Sequence, residues 1–254
     1  MTDSPAVHPF AGIDEKLKRS QAHIENLSLE IEGFFQESDY PTIPQENMQL
    51  LLKACQYHEQ RMVPLRFSVL TGEIVHHLRS CLDHLVWHFS SPEYREGKHG
   101  GFIEFPIRES RPLPKNHATQ YGRKVEGIAN SAVLRLIEGL QPYNTPDFAD
   151  YPLLVLHKMD VADKHRGLVL CGGGGGVSIP TDVVQQSIAS YQQGIITEIE
   201  GQRQMKNHAQ VIPVISFRDI GKREPEALLP TLEELHNFVV RIVMRFTEEL
   251  PCID

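Results

Sequence analysis

The stretch SVLTGEIVHHLRSCLDHLVWHFS, residues 68–90, decides the fold because its helical periodicity is the clearest in the chain. Its apolar residues recur three or four positions apart, at Leu70, Ile74, Leu78, Leu82, Leu85 and Phe89. That spacing places them along one face of an α-helix. Pro92 pushes Ser91 out of helical geometry, which ends the helix. We therefore predict an amphipathic helix over 68–90 whose apolar face lies in a core.

Four other segments carry helical signals. They are residues 12–37, 124–140, 152–166 and 230–249. Gly139 closes the second of these segments, and glycine is typical of a helix C-terminus. Thr231 and Glu234 have the spacing of a capping box, in which two side chains bond the unpaired backbone N–H groups at a helix start. The sequence therefore predicts about five helices.

Extended structure is expected in several shorter segments. They are residues 47–57, 102–105, 167–171, 177–179, 195–199 and 210–218. Gly172–Gly176 is a run of five glycines, and we expect it to form a hairpin turn rather than a phosphate-binding loop, because no Lys-Ser or Lys-Thr pair follows it. Residues 182–193 fit a helix or a strand equally well.

The predicted fold class is α+β: a mostly helical bundle with a small antiparallel β-sheet in the C-terminal half. We expect residues 1–254 to form a single domain. Its helical part covers about 12–166 and its β-containing part about 167–220, and the helix at about 230–249 packs back on the core. A chain of 254 residues, 41% of them hydrophobic, is long enough to bury such a core.

Composition and charge narrow the function classes. The chain carries 25 Lys and Arg against 33 Asp and Glu, a net charge of −8, which argues against broad DNA binding and against an anionic membrane as partner. No stretch is apolar enough to span a membrane. The four cysteines are scattered, and the N-terminus lacks a basic segment followed by an apolar one. We therefore expect a reduced, cytoplasmic protein.

Histidines concentrate on the helix predicted at 68–90. The chain has 13 histidines, and His77, Cys81, His84 and His88 follow a spacing of four, three and four residues, which is one stripe of a helix. Imidazole and thiolate are common ligands of zinc and iron. One helix supplies too few ligands, so a metal site needs partners from elsewhere. The alternative is that this stripe is only a half-buried polar edge beside the apolar face.

The segment 152–166 supplies candidate partners for such a site. His157 and Asp160 are three residues apart, a spacing found in carboxylate–histidine metal sites of helical bundles. A zinc, iron or manganese ion between His77, His84 and His88 on one helix and this pair on the other is one hypothesis. The alternative is that Asp160 pairs with Lys164 one helical turn later as an ordinary ion pair.

Arg79 and His84 form an Arg-x4-His pattern on the predicted helix, one form of the broader Arg-x4–6-His pattern. The broader pattern also occurs at Arg111/His117 and at Arg203/His208, but these pairs lie in predicted loops. The helix at 68–90 resembles the signature of the HEPN superfamily, small helical proteins in which an Arg-x4–6-His motif carries metal-independent RNA cleavage at a dimer interface. The resemblance implies a homodimer, an RNA substrate and no cofactor.

The chemistry of such a site is coherent. In the reaction that the resemblance implies, His84 serves as general acid or base, Arg79 binds phosphate, and Asp83 orients one of the two. Arg79 and His84 are about 140° apart around a helix axis, given about 100° per residue, so converging on one phosphate requires a bent helix or a second subunit. The alternative is that Asp83 simply pairs with Arg79 one turn away.

A wider resemblance covers about residues 65–170. The runs LRSCLDHL at 78–85, EFPI at 104–107 and DVADKHR at 160–166 resemble a group of uncharacterised bacterial proteins, from which no function carries over. Three hypotheses therefore stand: a metal-independent ribonuclease, a metal-dependent enzyme, and a non-catalytic binding or oligomerisation module. The single tryptophan, Trp87, is expected to be a core residue rather than a stacking platform.

Overall fold

Helices of very different length build the protein. The computed structural model describes residues 10–36, 63–98, 100–112, 121–146, 148–164, 185–186 and 227–248, and the backbone alone of 43–44, 165, 171–178 and 210–217. Its helices are α1 (Ala11–Gln36), α2 (Leu65–Phe89), α3 (Pro92–Glu96), α4 (Gly122–Val125), α5 (Ser131–Gly139), α6 (Pro152–His165) and α7 (Leu228–Glu248). Short 3₁₀ turns occur at Gly100–Phe102, Pro142–Asn144 and Phe148–Asp150.

The expected α+β fold class is wrong, because the described part of the chain is helical. Of the residues described with their side chains, 80% lie in helices, and none lies in a strand. Outside that part, the backbone of β2 (Cys171–Ser178) runs antiparallel to β3 (Gln210–Phe217), and β1 (Ile43–Pro44) lies along the other edge of β3. The described core side chains belong to the helices and to the segments that flank or join them.

Helix α2 is the centre of the described core, as its periodicity predicts. Three long neighbours, α1, α6 and α7, pack against it. Ile74, Leu78, Leu82 and Leu85 are fully buried, whereas Leu70 and Phe89 at the two ends of the predicted stripe are partly buried. Each fully buried aliphatic side chain stabilises the fold by about 1.5–3 kcal/mol. The helices predicted at 12–37, 68–90, 152–166 and 230–249 are confirmed to within two or three residues.

The helix predicted over 124–140 is wrong as a single element. It is divided into α4 and α5, with a break at 126–130. Asn130 caps α5, because its side chain accepts the backbone N–H of Ala132 at 2.9 Å. Gly127 lies so close to Tyr94 that a Cβ there would fall within 2.6–2.8 Å of the tyrosine side chain. The break therefore combines a local cap at Asn130 with a tertiary contact at Gly127.

The predicted N-terminal cap of the last helix is also wrong. Helix α7 begins at Leu228, so Thr231 lies inside its first turn. The Thr231 hydroxyl donates to the carbonyl of Ala227 at 2.8 Å, one turn back, instead of accepting a backbone N–H. Apolar contact of Leu228 with the core extends the helix beyond the point that the capping pattern indicates.

The extended segments differ from expectation in two places. Gly172–Gly176 lies within β2 and not in a turn, because its backbone pairs with β3 along its whole length. Residues 103–105 form no strand, although Phe105 is fully buried against the core. The segments 47–57, 182–193 and 195–199 lie outside the residues described with their side chains, apart from 185–186. None of the described helices has the length and apolar character needed to cross a membrane.

Candidate functional site

Arg79 and Asp83 hold the segment that follows the 3₁₀ turn at Gly100–Phe102. Arg79 Nη1 donates to Asp83 Oδ1 at 2.5 Å, and Arg79 Nη2 donates to the carbonyl of Phe105 at 2.8 Å. Asp83 Oδ1 also accepts the backbone N–H of Phe105 at 2.8 Å. Side chains from two adjacent turns of α2 therefore bond both the carbonyl and the N–H of Phe105. This accounts structurally for the LRSCLDHL and EFPI runs of the sequence.

The burial of this pair determines what Arg79 can do. Arg79 is 3% exposed, and its two terminal nitrogens point to Asp83 and Phe105. Burial raises the pKa of the Asp83 carboxyl by more than Arg79 and the Phe105 N–H lower it. The structure therefore shows the plain one-turn ion pair between Arg79 and Asp83. In this arrangement Arg79 positions a backbone segment and does not reach a phosphate in solvent.

His84 lies on a different side of α2, in a cleft that is open to solvent. The cleft has a volume of about 340 Å³. Its wall consists of residues from the start of α1, the second half of α2, α3 and the segment that Arg79 holds: Gly12, Ile13, Asp83, His84, Trp87, His88, Arg95 and Ile103. We call it the His84 cleft. It contains both histidines of the second half of the predicted stripe, one helical turn apart.

Charged groups of both signs surround the His84 cleft, with Arg95 and Asp83 in its wall. Partial burial of the ring, together with the nearby Lys16 ammonium, lowers the pKa of His84. Arg95 is fixed at the wall, because it donates to the carbonyl of His88 at 2.6 Å and to that of Ser90 at 2.8 Å. Helix α1 begins beside the cleft, and the partial positive charge of its N-terminus is offset by Asp14 in its first turn. The Asp83 carboxyl acts on the pKa of His84 in the opposite direction, but burial and Lys16 outweigh it, so the imidazole is mainly neutral at pH 7.

Trp87 borders the same cleft, and its expected core position is wrong. It is 45% exposed, the largest side chain among the exposed hydrophobic residues. His88 lines the cleft as well, and its ring packs against that of Phe10 at 4.5 Å, centroid to centroid, and edge-on against Phe89. The helical stripe predicts both histidines on one side. The segments that pack around α2 determine that the ring of Trp87 is exposed whereas that of His88 packs against Phe10.

The candidate metal ligands are not brought together. His77 stacks on His23 of α1, with ring centroids 5.9 Å apart, and its charged neighbours are Lys16 and Arg19. His157 and Asp160 lie on α6, where the positive charges of Arg79 and Lys124 act on His157. His84 and His88 line the cleft. Within the described ranges, no three His, Cys, Asp or Glu side chains are grouped as metal ligands.

Asp160 has partners that do not involve the α2 histidine stripe. Its Oδ2 accepts Lys164 Nζ at 2.8 Å, and its Oδ1 lies 3.7 Å from Nδ1 of His76. The ordinary ion pair with Lys164 is therefore present. Burial lowers the pKa of His157, whose Nδ1 has no hydrogen-bond partner within the described part of the chain. Cys81 faces α1 and is buried, which raises the pKa of its thiol to about 12 and makes it a poor ligand.

Sequence reasoning missed several residues of this site. Arg95, Gly12 and Ile13 line the cleft but belong to other elements, and no local pattern links them to His84. The role of Phe105 is carried by its backbone, which a residue pattern does not reveal.

Comparison with protein-family models, with curated proteins and with solved structures finds no match for the chain. The resemblances to the HEPN superfamily and to the group of bacterial proteins therefore stay predictions. The function rests on the geometry of the site.

Proposed function

We propose that the protein is a metal-independent endoribonuclease whose chemistry takes place in the His84 cleft. The observation that carries the proposal is that one cleft contains His84, His88, Arg95 and the exposed ring of Trp87. Cleavage of RNA by its own 2′-hydroxyl requires a base, an acid and a cation near the phosphate. These residue types supply all three functions without a cofactor.

His84 is the general base in this proposal. Its pKa lies below the ordinary value, so the imidazole is neutral at pH 7 and able to take the proton of the 2′-hydroxyl. His88, one turn later, is close enough to protonate the leaving 5′-oxygen, because side chains four residues apart on a helix are neighbours. The 2′-oxygen then forms a bond to phosphorus while the bond to the 5′-oxygen breaks, which leaves a 2′,3′-cyclic phosphate.

The roles of Arg79 and Asp83 differ from those expected from the sequence. Arg95 and the start of α1 line the cleft and face the phosphate, whereas Arg79 is buried with Asp83 and Phe105. Arg79 and Asp83 are therefore positioning residues, since they hold the segment that brings Ile103 to the cleft wall. Trp87 offers an exposed ring on which a base can stack, an interaction typical of single-stranded RNA recognition.

The experiment measures cleavage of a labelled single-stranded RNA by the wild-type protein and by His84→Ala. We expect the substitution to lower the rate about 10²–10⁴-fold, the usual contribution of general acid–base catalysis. His76→Ala is the matched control, because His76 is exposed on the same helix but outside the cleft. EDTA is expected to leave the rate unchanged, and a strand with a 2′-deoxyribose at the scissile position is expected to resist cleavage.

Three results would overturn the proposal: full activity of His84→Ala, loss of wild-type activity in EDTA, or no cleavage by the wild-type protein. Loss of activity in EDTA would favour the hypothesis of a zinc, iron or manganese enzyme. No cleavage would favour the non-catalytic binding or oligomerisation module. The uncleavable deoxy strand gives a second readout, because its binding should change the fluorescence of Trp87, the single tryptophan.

The homodimer implied by the HEPN resemblance is a separate proposal. The His84 cleft of one chain already contains a base, an acid and a cation, so the proposed chemistry does not depend on a second copy. Light scattering on the eluted protein measures the oligomeric state. A mass of twice that of the chain is expected for the homodimer, and the mass of one chain would contradict it.

A further inference from the structure

A second cavity, separate from the His84 cleft, lies between α4 and α5. Its volume is about 470 Å³, within the range of small-molecule sites. The lining residues are Tyr121, Gly122, Val125, Glu126, Ile128, Leu134, Arg135 and Glu138. We call it the Glu138 pocket. It shares no residue with the His84 cleft, and the proposed ribonuclease reaction does not use it.

A carboxylate is fixed at one side of the Glu138 pocket. Glu138 Oε1 accepts the hydroxyl of Tyr143 at 2.8 Å, and Glu138 Oε2 accepts that of Tyr121 at 3.2 Å. Burial, together with the Glu138 carboxylate, raises the pKa of both phenols, so they remain donors at neutral pH. The carboxylate is therefore held in one orientation by two neutral donors, and each of its oxygens has a further lone pair.

Among the described residues, the cation that pairs with this carboxylate is a loose partner. Arg111 Nη2 lies 4.0 Å from Glu138 Oε1, and the Arg111 side chain is 73% exposed. Its guanidinium also lies over the ring of Tyr143. An ion pair this long and this exposed contributes little free energy, so a ligand cation can replace it.

Charge and surface chemistry of the pocket select the class of ligand. Two carboxylates, Glu126 and Glu138, line the pocket against one guanidinium, Arg135, and the remaining walls are apolar or aromatic. Arg135 is exposed and donates to Ser131 at 3.3 Å, so solvent screens its charge. A ligand with a compact ammonium group at Glu138 and an apolar body against Val125, Ile128 and Leu134 matches both the acidic side and the apolar wall of the pocket.

We propose that the Glu138 pocket binds a small organic ammonium ion that carries an aromatic or branched apolar group. The ammonium donates hydrogen bonds to Glu138, and the apolar group leaves water for the wall formed by α4 and α5. A carboxylate ligand of the same shape is disfavoured, because it would place like charges together in a partly buried site.

The test is a titration, followed by protein NMR, with three probes of similar size: 2-phenylethylammonium, 2-phenylethanol and 3-phenylpropionate. We expect the ammonium ion to bind saturably, with a Kd at least tenfold lower than that of the carboxylate, which corresponds to one charge-assisted hydrogen bond. Glu138→Gln should raise the Kd of the ammonium ion about tenfold, to a value near that of the neutral alcohol. Glu233→Gln, on the exposed face of α7, should leave it unchanged.

Leu134→Trp provides a variant that fills the pocket and should abolish binding of all three probes, with circular dichroism confirming that the protein folds. The proposal is overturned if the wild-type protein shows no saturable binding of the ammonium ion, if the carboxylate binds as well, or if Glu138→Gln binds unchanged. The two sites share no residue, so Glu138→Gln should cleave RNA at the wild-type rate even though it binds the ammonium ion less tightly. This result separates the present proposal from the proposed function.

Discussion

Removal of the buried guanidinium is the sharpest test of how the site is held together. Arg79→Met keeps much of the length and the apolar stem of the side chain but removes both hydrogen bonds, those to Asp83 and to the carbonyl of Phe105. The carboxylate of Asp83, 29% exposed, then loses its only described cationic partner, and the Phe105 carbonyl loses the donor shown for it. The substitution should therefore destabilise the fold much more than loss of a surface ion pair.

The magnitude follows from the burial of the pair. Breaking a buried ion pair by removing one partner costs about 3–5 kcal/mol, and the partial exposure of Asp83 places this case near about 3 kcal/mol. Asp83→Asn retains an acceptor for the Phe105 N–H but leaves Arg79 buried without a carboxylate, so it should cost a similar amount. The double variant removes both charges. We therefore expect it to cost about 3 kcal/mol rather than the sum of the two, a coupling of about 3 kcal/mol.

Urea denaturation followed by circular dichroism measures these free energies. With a slope of about 2–3 kcal/mol per molar urea, the midpoint of Arg79→Met should fall by about 1 M. Lys18→Met is the control, since the ion pair of Lys18 with Glu15 is 71% and 72% exposed and should contribute nothing measurable. An unchanged midpoint for Arg79→Met, or strictly additive effects in the double variant, would refute the reasoning.

Two further predictions concern packing and pH. Gly127→Ala places a methyl group against Tyr94, and thermal denaturation should show a loss of about 1–3 kcal/mol, whereas Gly139→Ala, with open space around it, should show none; equal effects would contradict the close approach. Burial lowers the pKa of His77 below 6.5, so the native state binds this proton less well than the unfolded chain. The contribution of His77 to stability is therefore full above pH 6.5 and is lost as the pH falls from 6.5 towards the lower pKa of the native state. His77→Gln should reduce that slope by up to about 1.4 kcal/mol per pH unit, and a slope identical to that of the wild-type protein would count against it.

The long helices could be predicted from the sequence, and the reason is local. The period of apolar residues in α1, α2 and α7 is a property of neighbouring positions, and burial of one face is enough to make each segment a helix. The close packing of Gly127 against the ring of Tyr94, 33 positions earlier in the chain, could not be predicted in the same way, because it is a tertiary contact. The glycine run shows the same limit, since its extended backbone depends on pairing with a distant segment.

Some features of the candidate site likewise follow from local sequence, and others depend on tertiary packing. Helical geometry alone determines that Arg79 and His84 lie on different sides of one helix and that Asp83 can reach Arg79. Only the tertiary structure decides which of the two sides is covered. The backbone of Phe105 closes over Arg79, whereas the start of α1 and Arg95 leave His84 in an open cleft. A side chain's angle around a helix is set by its own few residues, but its exposure is set by whichever distant segment packs there, and no local pattern contains that information.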